Sequence, residues 1–405
     1  MKHSEMPVFG NMQGVRVVGT GTSIAGPVAC SLFAEQGADV IQIESTKAKD
    51  MVRSIGDIWS AEHRNNRTIA LNIRSQEGEE VLSRLLKETD ILIEGSKGGT
   101  WDRWGLSDEV LWEIKPDLVI VHISGFGHRE FGGVPEICAR ASYDMIGQAF
   151  SGWLYLQGFK DRDPVVAKPY MNDFVSAFAA LFGTLAAYTT AQKTGKGQVV
   201  DVAQFEAMAQ YMCGTYTSYT MAGQVSERSG NASPAFQPYD LFESKDGALV
   251  ALGAFGPGVY KRCIQALGFD LEYFNYKDCS SGVEAGASPK GRELNAKVVE
   301  WCKSHTAAEI EQIMEDAKVP CSKVNNAKDT FENEHFKSRG DWITYEDQTV
   351  GADITAFGIA PKLSETPGKV WRGAPSMGQD TEAVLKTVLG YDDAKIADLR
   401  EKKLI

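Results

Sequence analysis

No two of the seven cysteines (Cys30, Cys138, Cys213, Cys263, Cys279, Cys302 and Cys321) stand at CxxC spacing, and no zinc-site set of cysteines and histidines is formed. An odd, scattered set reads as reduced thiols of a cytoplasmic protein, not as a disulfide framework. Basic charge is also short: 42 Lys and Arg against 54 Asp and Glu leave a net charge of −12. That argues against a nucleic-acid or anionic-membrane surface. Met1–Gly10 has no basic stretch leading into an apolar one, so no signal peptide is expected. HExxH and GxSxG are missing; Gly286-Ala287-Ser288-Pro289-Lys290-Gly291 misses the nucleophile elbow by one residue. Thr194-Gly195-Lys196-Gly197 lacks the leading glycine and spacing of a P-loop and reads as a turn. No metal is expected. A single stretch, Phe174–Ala191, is uncharged and long enough to raise the question of a membrane span. It is mostly Ala, Thr, Ser and Gly around a few Phe and Leu, which fits the middle of a soluble core.

What is present is an ordinary globular composition, 43% hydrophobic and 24% charged, in 405 residues, enough for two to three domains. An apolar run at Val15–Thr20 ends in glycines, a helix follows over Pro27–Gln36, and Asp39–Glu44 is a second apolar run. This is a βαβ pattern, and hence an α/β fold with a parallel sheet. The alternation continues through a helix at Ser75–Lys87, a strand at Asp90–Glu94, a helix at Ser107–Ile114 and a strand at Leu118–Ile123. A core helix starts near Asp173, Gln198–Asp201 is a further strand, and a long helix is expected over Phe205–Met221. Gln224–Pro238 is polar and rich in Ser, Asn and Pro, which marks a domain boundary. The expected division is a large domain over 1–224, a small α+β domain over 225–330, opened by a hairpin around Lys245-Asp246-Gly247, and a segment over 331–405 that packs back on the large domain. That segment is loop-rich and ends in a helix over Thr381–Leu389.

Three places carry chemistry. The first βα turn, Gly19-Thr20-Gly21-Thr22-Ser23-Ile24-Ala25-Gly26-Pro27, is close to a dinucleotide fingerprint, with Glu44 where a ribose-binding acid would stand. Its spacing is GxGxxxxG, not GxGxxG, and Pro27 removes a backbone donor. A phosphate- or pantetheine-bearing ligand suits such a turn better than NAD, and a plain tight turn is the alternative. Next, Lys97 and Arg103 follow a strand end, and Arg74 follows Leu71-Asn72-Ile73; together they can meet a phosphate, although each alone reads as a surface charge. Finally, Asp173 opens the apolar helix after Lys168-Pro169-Tyr170-Met171-Asn172. Aspartate there is a favoured N-cap. A carboxylate fixed against an apolar wall is also a nucleophile, and its ordinary pKa near ~3.9 keeps it ionised at neutral pH without a general base.

In this order the chain resembles the class III CoA-transferases, the family of formyl-CoA transferase and carnitine CoA-transferase, across nearly its whole length. The anchors are Ile24-Ala25-Gly26-Pro27, Phe33-Ala34-Glu35-Gln36-Gly37-Ala38-Asp39-Val40-Ile41, Arg64-Asn65-Asn66-Arg67, Ser124-Gly125-Phe126-Gly127, Tyr143-Asp144 before Gln148-Ala149, and Thr194-Gly195-Lys196-Gly197-Gln198. Pro367-Gly368-Lys369-Val370-Trp371-Arg372-Gly373 is similar to the carnitine branch. The resemblance implies that Asp173 is the nucleophile and that Lys97 contacts CoA. It implies that Ala25, Asn72 and Tyr143 line the CoA channel, and that Gly253, Gly256 and Gly258 belong to a mobile loop over the intermediate. The family arginine falls on Trp104, so that either Arg103 replaces it or the contact is lost. In that loop the glycines are interrupted by Phe255 and Pro257.

The resemblance further implies a Rossmann-like large domain built from both chain ends, a small domain, and an interlocked homodimer. No permanently bound cofactor is expected; coenzyme A enters as acyl-CoA, a substrate alongside small carboxylic acids. The carnitine branch suggests carnitine with a betainyl-CoA, its trimethylammonium held by aromatic faces from Trp153, Tyr155, Tyr211, Tyr216 and Tyr219. An (R)-2-hydroxy acid with its enoyl-CoA is the alternative pair. Other readings are an acyl-CoA racemase of the same fold, with His122 and His128 as acid–base candidates, an NAD-dependent oxidoreductase, and a non-catalytic CoA-binding module.

Overall fold

The alternating apolar runs and helices form a six-stranded parallel sheet in the computed structural model, which describes residues 6–405. Its strands are β1 (Arg16–Gly19), β2 (Asp39–Glu44), β3 (Arg67–Ala70), β4 (Ile91–Glu94), β5 (Val119–Ser124) and β6 (Val199–Ala203), in the spatial order β3-β2-β1-β4-β5-β6. All five pairings are parallel. This is the doubly wound order whose direction of winding reverses between β1 and β4, and ligands of such sheets bind at that reversal, beyond the carboxyl ends of the strands.

Helices cover both faces. The main ones are α1 (Ala25–Glu35), α2 (Gln76–Lys87), α3 (Asp108–Ile114), α4 (Asp144–Phe150), α5 (Met171–Thr194) and α6 (Gln204–Ala209). Successive strand residues point to opposite faces, so Val17 joins a core with Ala29 and Phe33 of α1 and Ala177 and Ala180 of α5. Its neighbour Val18 joins the opposite core, with Leu82, Leu85 and Leu86 of α2. α2 has a local start signal: the Ser75 hydroxyl accepts the Gly78 N–H at 3.1 Å.

The chain forms two compact units. One holds the residues up to Trp153 with Val166–Tyr216 and Lys337–Ile405; the other holds Leu154–Val165 and Thr217–Phe336. The second unit has a three-stranded antiparallel sheet of β7 (Tyr239–Glu243), β8 (Leu249–Gly253) and β9 (Cys321–Lys323). Three helices, α7 (Pro257–Ala266), α8 (Pro289–Ser304) and α9 (Ala307–Asp316), surround its core of Phe242, Val250, Tyr260, Leu294 and Ile310. The expected β7–β8 hairpin is present.

Two expectations are corrected. The long helix over Phe205–Met221 is broken: α6 ends at Ala209, and Cys213 adopts a positive φ of 48° before Gly214, which no α-helix accommodates. The end of the chain is also more regular than its prolines suggest. It contains an antiparallel hairpin of β10 (Trp342–Asp347) and β11 (Ala352–Phe357), then α10 (Thr381–Thr387) and α11 (Asp393–Glu401). Val384, Leu385 and Leu399 join the α2 core, and the Asp380 carboxylate accepts the Thr68 N–H at 2.9 Å.

Two of the sequence anchors are structural. Asn65 donates to Lys369 O at 2.7 Å and accepts from Trp371 N at 2.9 Å, while Arg64 pairs with Glu35 at 2.6 Å. The Arg64–Arg67 and Pro367–Gly373 segments therefore fasten the C-terminal segment to the sheet.

Candidate functional site

Gly21 and Gly95 meet where β1 and β4 end. A Cβ on Gly95 would lie 3.1 Å from Gly21 Cα, tighter than ordinary van der Waals contact. The two backbones approach this closely because neither carries a side chain. Beside them opens a cleft of about 370 Å3, lined by Thr22–Gly26, Gly95–Lys97, Ile123–Gly125, Arg140–Tyr143, Asp173 and Gln204. The first amides of α1 lack intrahelical acceptors by geometry, so this rim favours anions.

Asp173 is the third residue of α5, and it does not cap that helix. The capping is done from outside. Asp144 Oδ1 accepts the Asn172 N–H at 2.7 Å and the Asp173 N–H at 3.3 Å. Its Oδ2 takes a hydrogen bond of 2.7 Å from Gln148 Nε2. α4 comes this close because Gly147 has no side chain; a Cβ there would lie 2.2 Å from Asn172 Nδ2.

Freed from capping, the Asp173 carboxylate accepts a hydrogen bond from Gln204 Nε2 at 2.5 Å. It is 8% exposed. Burial first, and then the neighbouring Asp144 charge, push its pKa from 3.8 up to about 7, against the Gln204 hydrogen bond, which lowers it. The expectation that Asp173 is fully ionised at neutral pH is corrected here: desolvation and a like charge outweigh the Gln204 hydrogen bond. The buried thiols offer no rival nucleophile, since burial pushes Cys30 and Cys263 up to about 12.

The other expected residues fall into separate groups. Lys97, Ala25 and Tyr143 line the cleft with Asp173. Tyr143, Thr22 and Ser23 also border an adjoining hollow of about 270 Å3 that contains Glu44 and Lys49. Arg103 borders a different hollow, with Gly99 and Arg129, and donates to Thr100 at 2.9 Å. Beside Trp104 the cation is instead Arg74, 5.4 Å above the indole ring. Asn72 closes the turn into α2, its N–H donating to Leu404 O at 2.8 Å. In the second unit, Gly253 ends β8, Gly256 stands at the N-cap of α7, and Gly258 is the second residue of α7. Gly256 has φ +80°, and Phe255 packs 4.7 Å from Phe236.

The competing readings lose their key residues. Glu44 is held by Arg53 at 2.5 and 2.7 Å, which occupies both oxygens a ribose would need. His122 and His128 do not line the Asp173 cleft; they border another, of about 340 Å3. Within the first unit, Trp153, Tyr211 and Tyr216 do not line the Asp173 cleft; in the second unit, Arg228 stands 5.2 Å over the Tyr155 ring.

Asp144, Arg140 and Gln204 are site residues that the sequence did not single out. Asp144 had a signal, since it follows Tyr143 in one of the family motifs; Gln204 and the exposed Arg140 had none.

The family model for CoA-transferase family III matches residues 12–381. The bile acid CoA-transferase BaiK of Clostridium scindens (strain JCM 10418 / VPI 12708) is 38% identical over 405 residues, covering 98% of this chain and 90% of that protein. The crystal structure of a CAIB/BAIF family protein from Brucella suis matches with TM-score 0.80 and 26% identity, over 94% of this chain and all of that one. That of Rv3272 from Mycobacterium tuberculosis matches with TM-score 0.80 and 18% identity, over 93% and 99%, and shows likeness of fold.

Proposed function

The chain belongs to CoA-transferase family III and is a CoA-transferase, and from that premise we propose that it moves CoA between carboxylic acids through an aspartyl-CoA thioester on Asp173. The observation that carries this reading is the Asp173 carboxylate, buried, released from capping and held on one oxygen by Gln204, in the same cleft as Lys97.

The free oxygen of Asp173 attacks the donor thioester carbonyl. The C–S bond breaks, leaving a mixed aspartyl anhydride and CoA thiolate. The thiolate attacks the aspartyl carbonyl, forms the aspartyl-CoA thioester and releases the donor as its carboxylate. The acceptor carboxylate then attacks that thioester, giving a second anhydride and CoA thiolate. Attack of this thiolate on the acceptor acyl carbon yields the new acyl-CoA and restores Asp173. One thioester is broken and one made, so neither ATP nor metal takes part in the balance.

The surroundings of Asp173 supply reactivity. A carboxylate whose charge is opposed by burial and by Asp144 gains when acylation removes that charge. Gln204 fixes the direction of attack, and the α1 amides near Ala25 and Gly26 suit the developing oxyanion. Lys97 and Arg140 supply the positive charge that a phosphate-bearing ligand needs on a chain of net charge −12.

For the acids, a bile-acid-like carboxylate stands ahead of a betaine. The relative BaiK is named for bile acids, and among the described residues of the first unit no aromatic cage borders the Asp173 cleft. Carnitine with a betainyl-CoA and (R)-2-hydroxy acids remain the comparison pairs. A homodimer fits α5, whose small residues Ala177, Ala180, Thr184 and Ala187 are buried while Phe178, Phe182 and Leu185 are exposed, Phe182 at 78%.

The test is mass spectrometry of enzyme quenched with an acyl-CoA donor, after a panel of bile-acid, betainyl and 2-hydroxyacyl donors has identified one that turns over. A hydroxylamine-sensitive CoA adduct at residue 173 is expected. Turnover with that residue never modified would overturn the scheme.

A further inference from the structure

Glu94, His122 and His128 converge outside the Asp173 cleft, brought from the end of β4, the middle of β5 and the loop that follows it. All three are buried, and the donor atoms they offer lie within 4.8 Å of one another. Each imidazole is held from behind by a carboxylate: Asp108 Oδ1 lies 3.0 Å from His122 Nε2, and Asp201 Oδ1 lies 2.8 Å from His128 Nδ1. An ionised carboxylate only accepts, so these contacts place a proton on His122 Nε2 and on His128 Nδ1. The remaining nitrogens, His122 Nδ1 and His128 Nε2, stand 2.7 and 4.0 Å from the same oxygen, Glu94 Oε1. The other Glu94 oxygen takes the Ser96 N–H at 2.7 Å.

We propose that Glu94, His122 and His128 bind a divalent transition-metal cation of the zinc class, at a site distinct from the Asp173 cleft. Two imidazoles and a carboxylate, each imidazole backed by a second carboxylate, form the donor arrangement of carboxylate–histidine–metal sites. Metal–donor bonds of about 2.0–2.2 Å set tetrahedral donor atoms roughly 3.3–3.6 Å apart, so distances of 2.7 and 4.0 Å to Glu94 Oε1 bracket that value and each needs to change by less than an ångström for the three groups to share a cation. A proton on His122 Nδ1 otherwise bridges to Glu94; the cation takes its place and that proton leaves for solvent. His122 and His128 border the cleft of about 340 Å3 together with Asp108 and Arg129, which leaves a face for water to complete the coordination. Three acidic groups, Glu94, Asp108 and Asp201, meet two imidazoles here, and a dication offsets most of that negative charge.

The experiment uses the full chain, stripped with a chelator and titrated with Co2+ alone and then Zn2+ alone. One equivalent of Co2+ is expected, with the visible bands of a nitrogen–oxygen site and no thiolate charge-transfer band, and Zn2+ should displace it. Asp201→Asn should weaken binding about 10–100-fold, and His128→Gln should weaken it further, both with unchanged circular dichroism. Because His122→Gln removes a side chain bonded to two acids and can fail to fold, the other two variants decide the question. Absence of stoichiometric binding, a thiolate band that assigns the metal to cysteines, or equal affinity in His128→Gln would each overturn the proposal.

Discussion

Asp144 caps the helix that carries Asp173, and the same carboxylate raises the pKa of Asp173. One group thus fixes the position of a second and sets its charge. Replacing Asp144 with Asn keeps an oxygen for the Asn172 amide and removes the like charge. The acid limb of kcat/KM should then move to lower pH. Asp144→Ala should in addition lose about 0.5–2 kcal/mol of stability with the cap, read from urea unfolding.

The wild-type rate has its own pH signature. Only ionised Asp173 attacks, and its pKa stands at about 7. The rate should rise with pH through about 7 and level above it. A pH–rate profile that is flat from 5 to 8 would remove Asp173 as the titrating nucleophile.

Asp173→Asn should abolish turnover and stabilise the fold. The folded value of about 7 lies above the ordinary 3.8, so ionisation opposes folding. That cost is complete above about pH 7, shrinks as pH falls through the folded value, and vanishes below about pH 4. The shift corresponds to at most about 4 kcal/mol. The variant should therefore melt higher than wild type near pH 8 and match it near pH 4.

Gln204→Ala removes the hydrogen bond that Nε2 gives to the Asp173 carboxylate. A loss of about 10²–10³ in kcat is expected, by analogy with removal of one oriented donor, with little change in KM for acyl-CoA. A KM effect alone would make Gln204 a binding residue.

Lys97→Ala should raise KM for acyl-CoA by about 5–30-fold, with a steeper effect at low salt. Arg103→Ala should change it by less than about twofold, because Arg103 borders a separate hollow. Equal effects of both variants would mean that the ligand reaches both hollows.

The parallel sheet was legible because its signals are local. Val17 and Val18 serve opposite cores, and a fully buried strand such as Ile91–Glu94 opens with a continuous apolar run, Ile91-Leu92-Ile93. The break in the helix expected over Phe205–Met221 was not legible. Gly214 is a weak breaker alone, and the positive φ of Cys213 carries no signal in the local sequence. The β10–β11 hairpin was hidden because its short strands, Trp342–Asp347 and Ala352–Phe357, mix apolar and polar residues and are largely half-buried or exposed, which leaves little apolar signal.

The sequence by itself determined β1, β2, β4, β5 and β6 of the sheet, the starts of α2 and α3, the glycines of the βα turns and the identity of Asp173 as a residue of interest, since each depends on neighbours a few positions away. The tertiary structure alone decided the state of that residue. Its helix is capped by a side chain 29 positions earlier, and its charge is set by burial and by that same group. It decided as well that Glu44 is spent on Arg53, and that Glu94, His122 and His128 face one another. A pKa, an ion pair and a ligand set depend on distances of a few ångströms between residues far apart in the chain, and only folding fixes those.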